Sequence, residues 1–482
     1  MNAFRSMLAV NVGWTALSQT CRLGGQLLTT MILARLLPAA DFGLVALAMI
    51  VTGFVALFRD LGTSSAIVQR RDIGQSTASS VHWLNLAVGV ALCVLIEGLA
   101  PAIARILSNP SLAAVLQISL LALPISSLGV VPLALLEKAS RFRCIALIEA
   151  TSALLGLLVA VWTASLGWGV YSLVSQSLLI AATCTVGYSA MCQWRPTFSW
   201  NRSALRGILG FGANVAGFNV VNYLIRNVDN LLIGRYLGAT DLGYYSMAYR
   251  LMLWPLQNIS GVVGRALFPI LSGLQADRAA LARAYVRATA AVVVITAPLM
   301  FGFFALREAL VVAALGDRWR PVADLLTWLV PVGLLQSIGT TVGSLYLATG
   351  RTDLMFKWGM LSGSIIVPAF VIGLEWGIVG VAASYAIASV VLFWPSLALP
   401  YRLVDLRVAG VLQRLAPSLL SAAAMAIAVS LISYAWPEAL AGKWAKLIAL
   451  VFVGAIAYLG MCLRFQRPLV ADLTSAILRR RE

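Results

Sequence analysis

Charge is scarce in this chain. Asp, Glu, Lys and Arg make up 11% of its 482 residues, against roughly 25% in a soluble domain. That deficit excludes a globular protein with a solvated charged surface. Histidine occurs once, as His82. A single imidazole excludes an H-E-x-x-H zinc helix and makes a histidine-based metal cluster implausible, and no nucleophile–His–carboxylate set can be assembled around it. No G-x-x-x-x-G-K-[ST] loop is present, which excludes ATP hydrolysis by that route. The six cysteines, Cys21, Cys93, Cys144, Cys184, Cys192 and Cys462, are scattered without a C-x-x-C pair. They read as small apolar packing residues. Long polar connections are missing too, so any function must sit within the hydrophobic segments or at their mouths. An enzyme is not expected, nor a cofactor.

What the chain has in abundance is apolar length. Hydrophobic residues make up 61%, and runs of about twenty recur from end to end. The expected fold class is an all-α polytopic membrane protein with about fourteen transmembrane helices. They are placed at roughly 8–34, 42–60, 79–100, 112–136, 144–166, 168–192, 208–234, 242–272, 286–313, 322–348, 355–375, 377–400, 411–434 and 444–463. The first run is too long and too polar-speckled for a signal h-region, and no small-residue cleavage site follows it. It reads as the first span.

Net charge is +17, from 35 Lys and Arg against 18 Asp and Glu. With the N-terminus inside, the inner segments collect 23 basic residues and the outer segments 8. The positive-inside rule then places both termini in the cytoplasm. Arg22, Arg226, Arg250 and Arg265 remain, and all four lie within helices. Topology does not explain them.

The chain repeats itself. "ILARLLPAADFGLVALA" at 32–48 aligns with "LIGRYLGATDLGYYSMA" at 232–248, pairing Arg35 with Arg235, Asp41 with Asp241 and Gly43 with Gly243. A weaker echo pairs 126–141 with 336–351. Two six-helix halves followed by two extra helices fit this pattern. Six is even, so both copies enter from the same side, related by an axis along the membrane normal. The expected divisions are an N-lobe at 1–200, a C-lobe at 201–405, and the last two helices with a basic tail at 406–482.

Polar residues fall into stripes. On the seventh helix Asn219, Asn222, Arg226, Asp229 and Asn230 share one face. On the first, Asn11, Thr15, Ser18, Arg22 and Gln26 do so; on the eighth, Arg250, Trp254, Gln257, Gly261 and Arg265, with Pro255 expected to bend the helix. Stripes of this length cannot face lipid, so they should face protein or a wet cavity. An Arg226–Asp229 ion pair locking the helix is the structural alternative. With Arg59 at the inner end of the second helix, positives outnumber Asp60 and Asp229. A cavity with excess guanidinium attracts an anion, and forked planar donors suit phosphate oxygens. Glu97, Glu149 and His82 are weaker candidates for proton handling.

Five stretches, "ILARLLPAADFGLVALAMI", "FRDLGTSSAIVQRRD", "NVDNLLIGRYLGATDLGYYSMAYRL", "ALFPILSGLQAD" and "GDRWRP", carry a family resemblance in their order and spacing. The chain resembles the polysaccharide-transporter branch of the multidrug/oligosaccharidyl-lipid/polysaccharide exporter superfamily, whose Wzx-type members flip lipid-linked oligosaccharides. The resemblance implies two six-helix lobes around a V-shaped cavity. It implies a substrate, an undecaprenyl-diphosphate-linked glycan moved from the inner to the outer leaflet of a bacterial inner membrane by alternating access. It also implies a polysaccharide polymerase and chain-length machinery as partners, and no nucleic acid. A related lipid II flippase holds the diphosphate with arginines on its first, second and eighth helices, and Arg22, Arg59 and Arg250 match by helix and depth. The candidate substrate residues are Arg22, Arg59, Asn222, Arg226, Arg250, Gln257 and Arg265, with Asp229 as the candidate for coupling to H+ or Na+. A drug antiporter with the same lobes is the rival, and it would need an acidic cavity. A polymerase or ligase would need a large outer loop.

Overall fold

In lipid a backbone must satisfy its own hydrogen bonds, so apolar runs of this length can only become helices or a closed barrel. The computed structural model of the protein describes residues 24–25, 27–60, 63–69, 73–201, 220, 222–275, 277–436 and 442–465. Among the described residues there is no strand. The helices are α1 (Leu27–Leu36), α2 (Ala39–Asp60), α3 (Thr63–Gln69), α4 (Gln75–Ile106), α5 (Leu112–Leu120), α6 (Ala122–Lys138), α7 (Phe142–Ser165), α8 (Val170–Met191) and α9 (222–236). They continue as α10 (Ala239–Gly273), α11 (Arg278–Ala314), α12 (Arg320–Gly339), α13 (Val342–Ala348), α14 (Thr352–Gly373), α15 (Gly377–Tyr401), α16 (Val408–Ala435) and α17 (Lys443–Phe465). Among the described residues helices follow in the order of the fourteen expected spans, with α5 and α6 together forming the fourth and α12 and α13 the tenth; most of the first span and the start of the seventh lie outside the described residues. The short α3 was not anticipated.

Two compact units divide the chain, Met1–Gly243 and Tyr244–Glu482. The division falls within α10, so α9 and the first turn of α10 group with the preceding helices.

In the first unit, glycines set the helix spacing. A Cβ at Gly89, Gly129, Gly156 or Gly187 would press on Ser127, Thr185, Ile180 or Ile148 respectively. These contacts draw α4 against α6, α6 against α8, and α7 against α8, the small-residue packing usual between membrane helices. The closest approach joins α2 and α10. A Cβ at Gly43 would overlap the Ala239 carbonyl oxygen, and one at Gly243 would overlap that of Ala39. Each contact becomes the other under a shift of 200 residues. That shift is the offset of the internal repeat, so corresponding positions of the repeat meet at this crossing.

In the second unit α11 packs against α12, α16 and α17. A buried hydroxyl chain ties α11 to its neighbours: Thr341 Oγ1 donates to Tyr285 Oη (3.1 Å), which donates to Tyr401 Oη (3.4 Å), and Thr289 Oγ1 lies 2.9 Å from Thr341 Oγ1. Large apolar side chains such as Leu154, Val186, Ile387, Leu420 and Phe452 are exposed, as a lipid-facing surface demands.

The repeat also governs helix ends. Left-handed residues follow α4 and α11 at Ser108 and Gly316, and follow α6 and α13 at Ser140 and Gly350. One half thus uses serine where the other uses glycine, and an L-side chain in that conformation costs about 1–2 kcal/mol. Ser140→Gly should therefore stabilise the protein by about 0.5–1 kcal/mol after the extra freedom of glycine in the unfolded chain is set against the relief. Thermal unfolding in detergent checks this, and Ser140→Val should shift the midpoint the other way.

Candidate functional site

The seventh-span helix is seated on α2 by one side chain. Tyr223 donates its hydroxyl to the Ile50 carbonyl (3.0 Å), in a notch where a Cβ at Gly53 would overlap that hydroxyl. Phe54 closes the seat, 5.3 Å from Phe58 and 6.3 Å from Tyr223 between ring centroids. With this side of α9 fixed, Asn222, Leu224 and Arg226 stand exposed. Asp229 does not; it is 3% exposed. Its Oδ1 accepts from the Asn230 backbone N–H (2.8 Å) and from Asn230 Nδ2 (3.3 Å). Arg226 makes no hydrogen bond or ion pair among the described residues, so the Arg226–Asp229 lock does not form.

The stripe therefore splits, and the reason is depth, not direction. Asn222 and Asp229 lie only about 20° apart around the helix axis. From Asp229 to Gly234 α9 is enclosed, with Ile233 fully buried, whereas its first turns are open.

The eighth-span helix shows the same gradient. Leu242, Tyr245, Met247 and Ala248 are buried, and beyond the first turn the next exposed side chain is Arg250. Arg250 and Gln257 are exposed and Trp254 is half-buried, while Leu251, Met252, Pro255 and Leu256 pack inward. That is the amphipathic face read from the spacing. Arg250 also has no ion-pair partner among the described residues. The side chains of Gly261 and Arg265 lie outside the described residues, as do Asn11, Thr15, Ser18, Arg22, Gln26 and Asn219.

Arg59 differs from these. In the last turn of α2 it is half-buried, and its Nη1 donates to Ser126 Oγ on α6.

The other titratable candidates each have near neighbours. His82 is buried with its ring edge-on to Trp83 (5.4 Å) and Trp194 (5.5 Å). Glu149 accepts from the Tyr188 hydroxyl at 3.4 Å, and Glu97 lies 3.4 Å from Cys93 Sγ. Among the described residues no group of three His, Cys, Asp or Glu could hold a metal ion.

One feature was missed altogether. The segment 192–201 runs extended along α4: Thr197 N–H donates to Ser79 Oγ (3.0 Å), Asn201 N–H to Ser80 Oγ (2.8 Å) and Trp83 Nε1 to the Thr197 carbonyl (3.0 Å). Phe198 stacks on Trp83 at 4.7 Å. Its signal was "WRPTFSWN", a run of aromatic and hydroxyl residues around a proline, too polar for a span and too ordered in pattern for a slack linker.

The family model described as "Polysaccharide biosynthesis protein" matches residues 32–324. The chain belongs to that family. The match contains Arg59, Asn222, Arg226, Asp229, Arg250, Gln257 and Arg265, and leaves Arg22 outside.

Among family relatives, the succinoglycan biosynthesis transport protein ExoT of Rhizobium meliloti is 32% identical over 73% of this chain and 71% of its own length. The lipopolysaccharide biosynthesis protein WzxC of Escherichia coli is 29% identical over 78% of this chain and 77% of its own. The teichuronic acid biosynthesis protein TuaB of Bacillus subtilis is 28% identical over 92% and 93%. The fold is that of lipid II flippase MurJ in an inward closed conformation, with a TM-score of 0.73 at 16% identity over 95% of this chain and 99% of that one. An inward-facing multidrug resistance MATE family transporter follows the same fold with a TM-score of 0.63.

Proposed function

We infer that the protein is a flippase for undecaprenyl-diphosphate-linked oligosaccharide repeat units in the export of an extracellular or surface polysaccharide. The observation that carries this reading is the pair Arg226 and Arg250. Each is exposed where its helix opens, and neither has a carboxylate partner among the described residues. A guanidinium left without a counter-ion at bilayer depth is costly, so a ligand that supplies negative oxygens offsets that cost. Asn222 and Gln257, also exposed on the same helices, can donate and accept with sugar hydroxyls.

In this reading the diphosphate meets Arg59 near the inner mouth, then Arg226 and Arg250 further in, while the polyprenyl tail stays in lipid. Arg22 and Arg265 extend the same basic path. The lobes at 1–200 and 201–405 then open to the other side, with the helices of 406–482 beside them. The excess of inner basic residues supports a bacterial inner-membrane location with both termini cytoplasmic. The chain acts as a transporter, not a catalyst, and hands its cargo to a polymerase. The basic character of the exposed faces disfavours the drug-antiporter reading.

The test is leaflet accessibility. In cells lacking the protein, lipid-linked repeat units should accumulate on the inner leaflet, shielded from a membrane-impermeant glycan reagent, and polymer should be lost. Normal outward exposure of the repeat in those cells would rule the flippase reading out.

Asp229 is the coupling candidate because it is a carboxylate buried one turn beyond Arg226 on α9. If it carries the coupling ion, Asp229→Asn should leave substrate binding within about threefold while abolishing dependence of transport on the ion gradient, since the membrane potential alone supplies about 2.3 kcal/mol per charge per 100 mV. Unchanged gradient dependence in reconstituted vesicles would remove Asp229 from that role.

A further inference from the structure

A cationic cavity lies in the second unit, at the ends of α11, α12, α16 and α17. It measures about 670 Å³ and is lined by Arg307 and Glu308 of α11, Arg320 of α12, Tyr434 and Trp436 at the end of α16, and Lys443 and Lys446 of α17. That size is in the ~300–1,000 Å³ range of small-molecule sites. Every helix contributing to it belongs to the second unit. The cavity sits at the helix ends that the basic-residue count assigns to the outside, where cations are few. Half of the eight outer basic residues line this one space, which topology does not require.

The charges do not cancel. Asp317 accepts from Lys443 Nζ (2.9 Å) and Arg320 Nη2 (3.4 Å), and Glu308 stands 4.0 Å from Arg320 Nη1. Arg307 only donates to the Phe304 carbonyl (2.7 Å) and lies 4.9 Å over the Phe304 ring. Neither Arg307 nor Lys446, both half-buried, has a carboxylate partner among the described residues. Four cations face two carboxylates. Trp436 Nε1 is a further donor without an acceptor. The surroundings add an apolar half: Leu431 on α16 and Trp444 and Ile448 on α17 are exposed next to the cavity. Trp and Tyr at a helix end mark the headgroup level of a bilayer. A cationic pocket at that level with apolar faces running down from it fits one kind of ligand, an anionic head on apolar tails.

We propose that this cavity binds the phosphate headgroup of an anionic phospholipid of the adjacent leaflet, with Arg307 and Lys446 as the phosphate-holding side chains and the acyl chains lying along α16 and α17. None of the residues lining it is among those named for transport, and the proposal does not depend on the flippase reading.

The experiment titrates the full-length chain in detergent with phosphatidylglycerol, phosphatidylcholine or inorganic phosphate and follows the thermal midpoint. Phosphatidylglycerol should raise the midpoint saturably, and the other two should not. The double variant R307Q/K446Q should weaken the apparent phosphatidylglycerol affinity roughly thirty-fold. The charge-keeping pair R307K/K446R should stay near the parent, and R226A/R250A should keep the full response. K446Q alone, at an accessible helix start, gives a folded variant with a partial loss. Three results overturn the proposal: equal protection by phosphatidylcholine, equal protection by inorganic phosphate, or an unchanged affinity in both R307Q/K446Q and K446Q. Loss of the response in R226A/R250A overturns it too, because the lipid would then be sitting in the transport path.

Discussion

Placing a methyl group at Gly43 should be among the most damaging single changes in the chain. The added Cβ would meet the backbone carbonyl of Ala239, and a backbone cannot rotate aside as a side chain can. Overpacking commonly costs about 1–3 kcal/mol, and a collision with main chain belongs at or above the top of that range. Gly243→Ala should do the same against Ala39. Gly98→Ala in α4, where no atom lies within 4 Å, should be harmless or gain about 0.5–1 kcal/mol from helix propensity. The double variant decides whether the crossing is reciprocal. If one Cβ already drives α2 and α10 apart, the second fits into the opened space, and the two losses fall well short of additivity. Thermal midpoints of the four proteins give the coupling directly. Full additivity would mean that the two glycines guard separate contacts.

This crossing shows why much of the fold was legible. A membrane span must close its own backbone hydrogen bonds over a length fixed by the bilayer, so span number and order follow from apolar runs alone. The repeat was legible because close contact keeps glycine where nothing larger fits, at Gly43 and again at Gly243. What escaped depends on long-range partners. The extended segment 192–201 takes its hydrogen bonds from Ser79, Ser80 and Trp83, more than a hundred residues away, and no local pattern records that.

Within the site, azimuth was legible and depth was not. Periodicity put Asn222, Arg226 and Asp229 on one side of α9, and the exposed face of α10 holds Arg250 and Gln257 as the spacing requires. Helical spacing says nothing of how far up the helix the packing begins. Asp229 therefore turned out enclosed while Arg226 stays open, and Arg59 turned out tethered to Ser126 on α6. The inner arginine carries a structural load that the exposed pair does not.

That distinction sets the second large expectation. Arg226→Glu or Arg250→Glu should abolish polymer export while leaving the protein folded, because both side chains are exposed and neither anchors a neighbour among the described residues. Removing one partner of a desolvated, hydrogen-bonded charge pair costs about 2–5 kcal/mol, and reversing the sign adds repulsion. Binding of undecaprenyl diphosphate should therefore weaken by at least two orders of magnitude. Lysine at either position keeps the charge but loses the forked donors, so Arg250→Lys should fall between the parent and Arg250→Ala. Arg59→Ala should behave differently, lowering both export and the thermal midpoint, because Ser126 loses its donor. Lipid-linked repeat held on the inner leaflet, with protein levels near the parent, is the expected signature of the exposed pair. If Arg226→Glu and Arg250→Glu both sustain normal polymer, the phosphate is held elsewhere and the cationic faces of α9 and α10 are not the transport path.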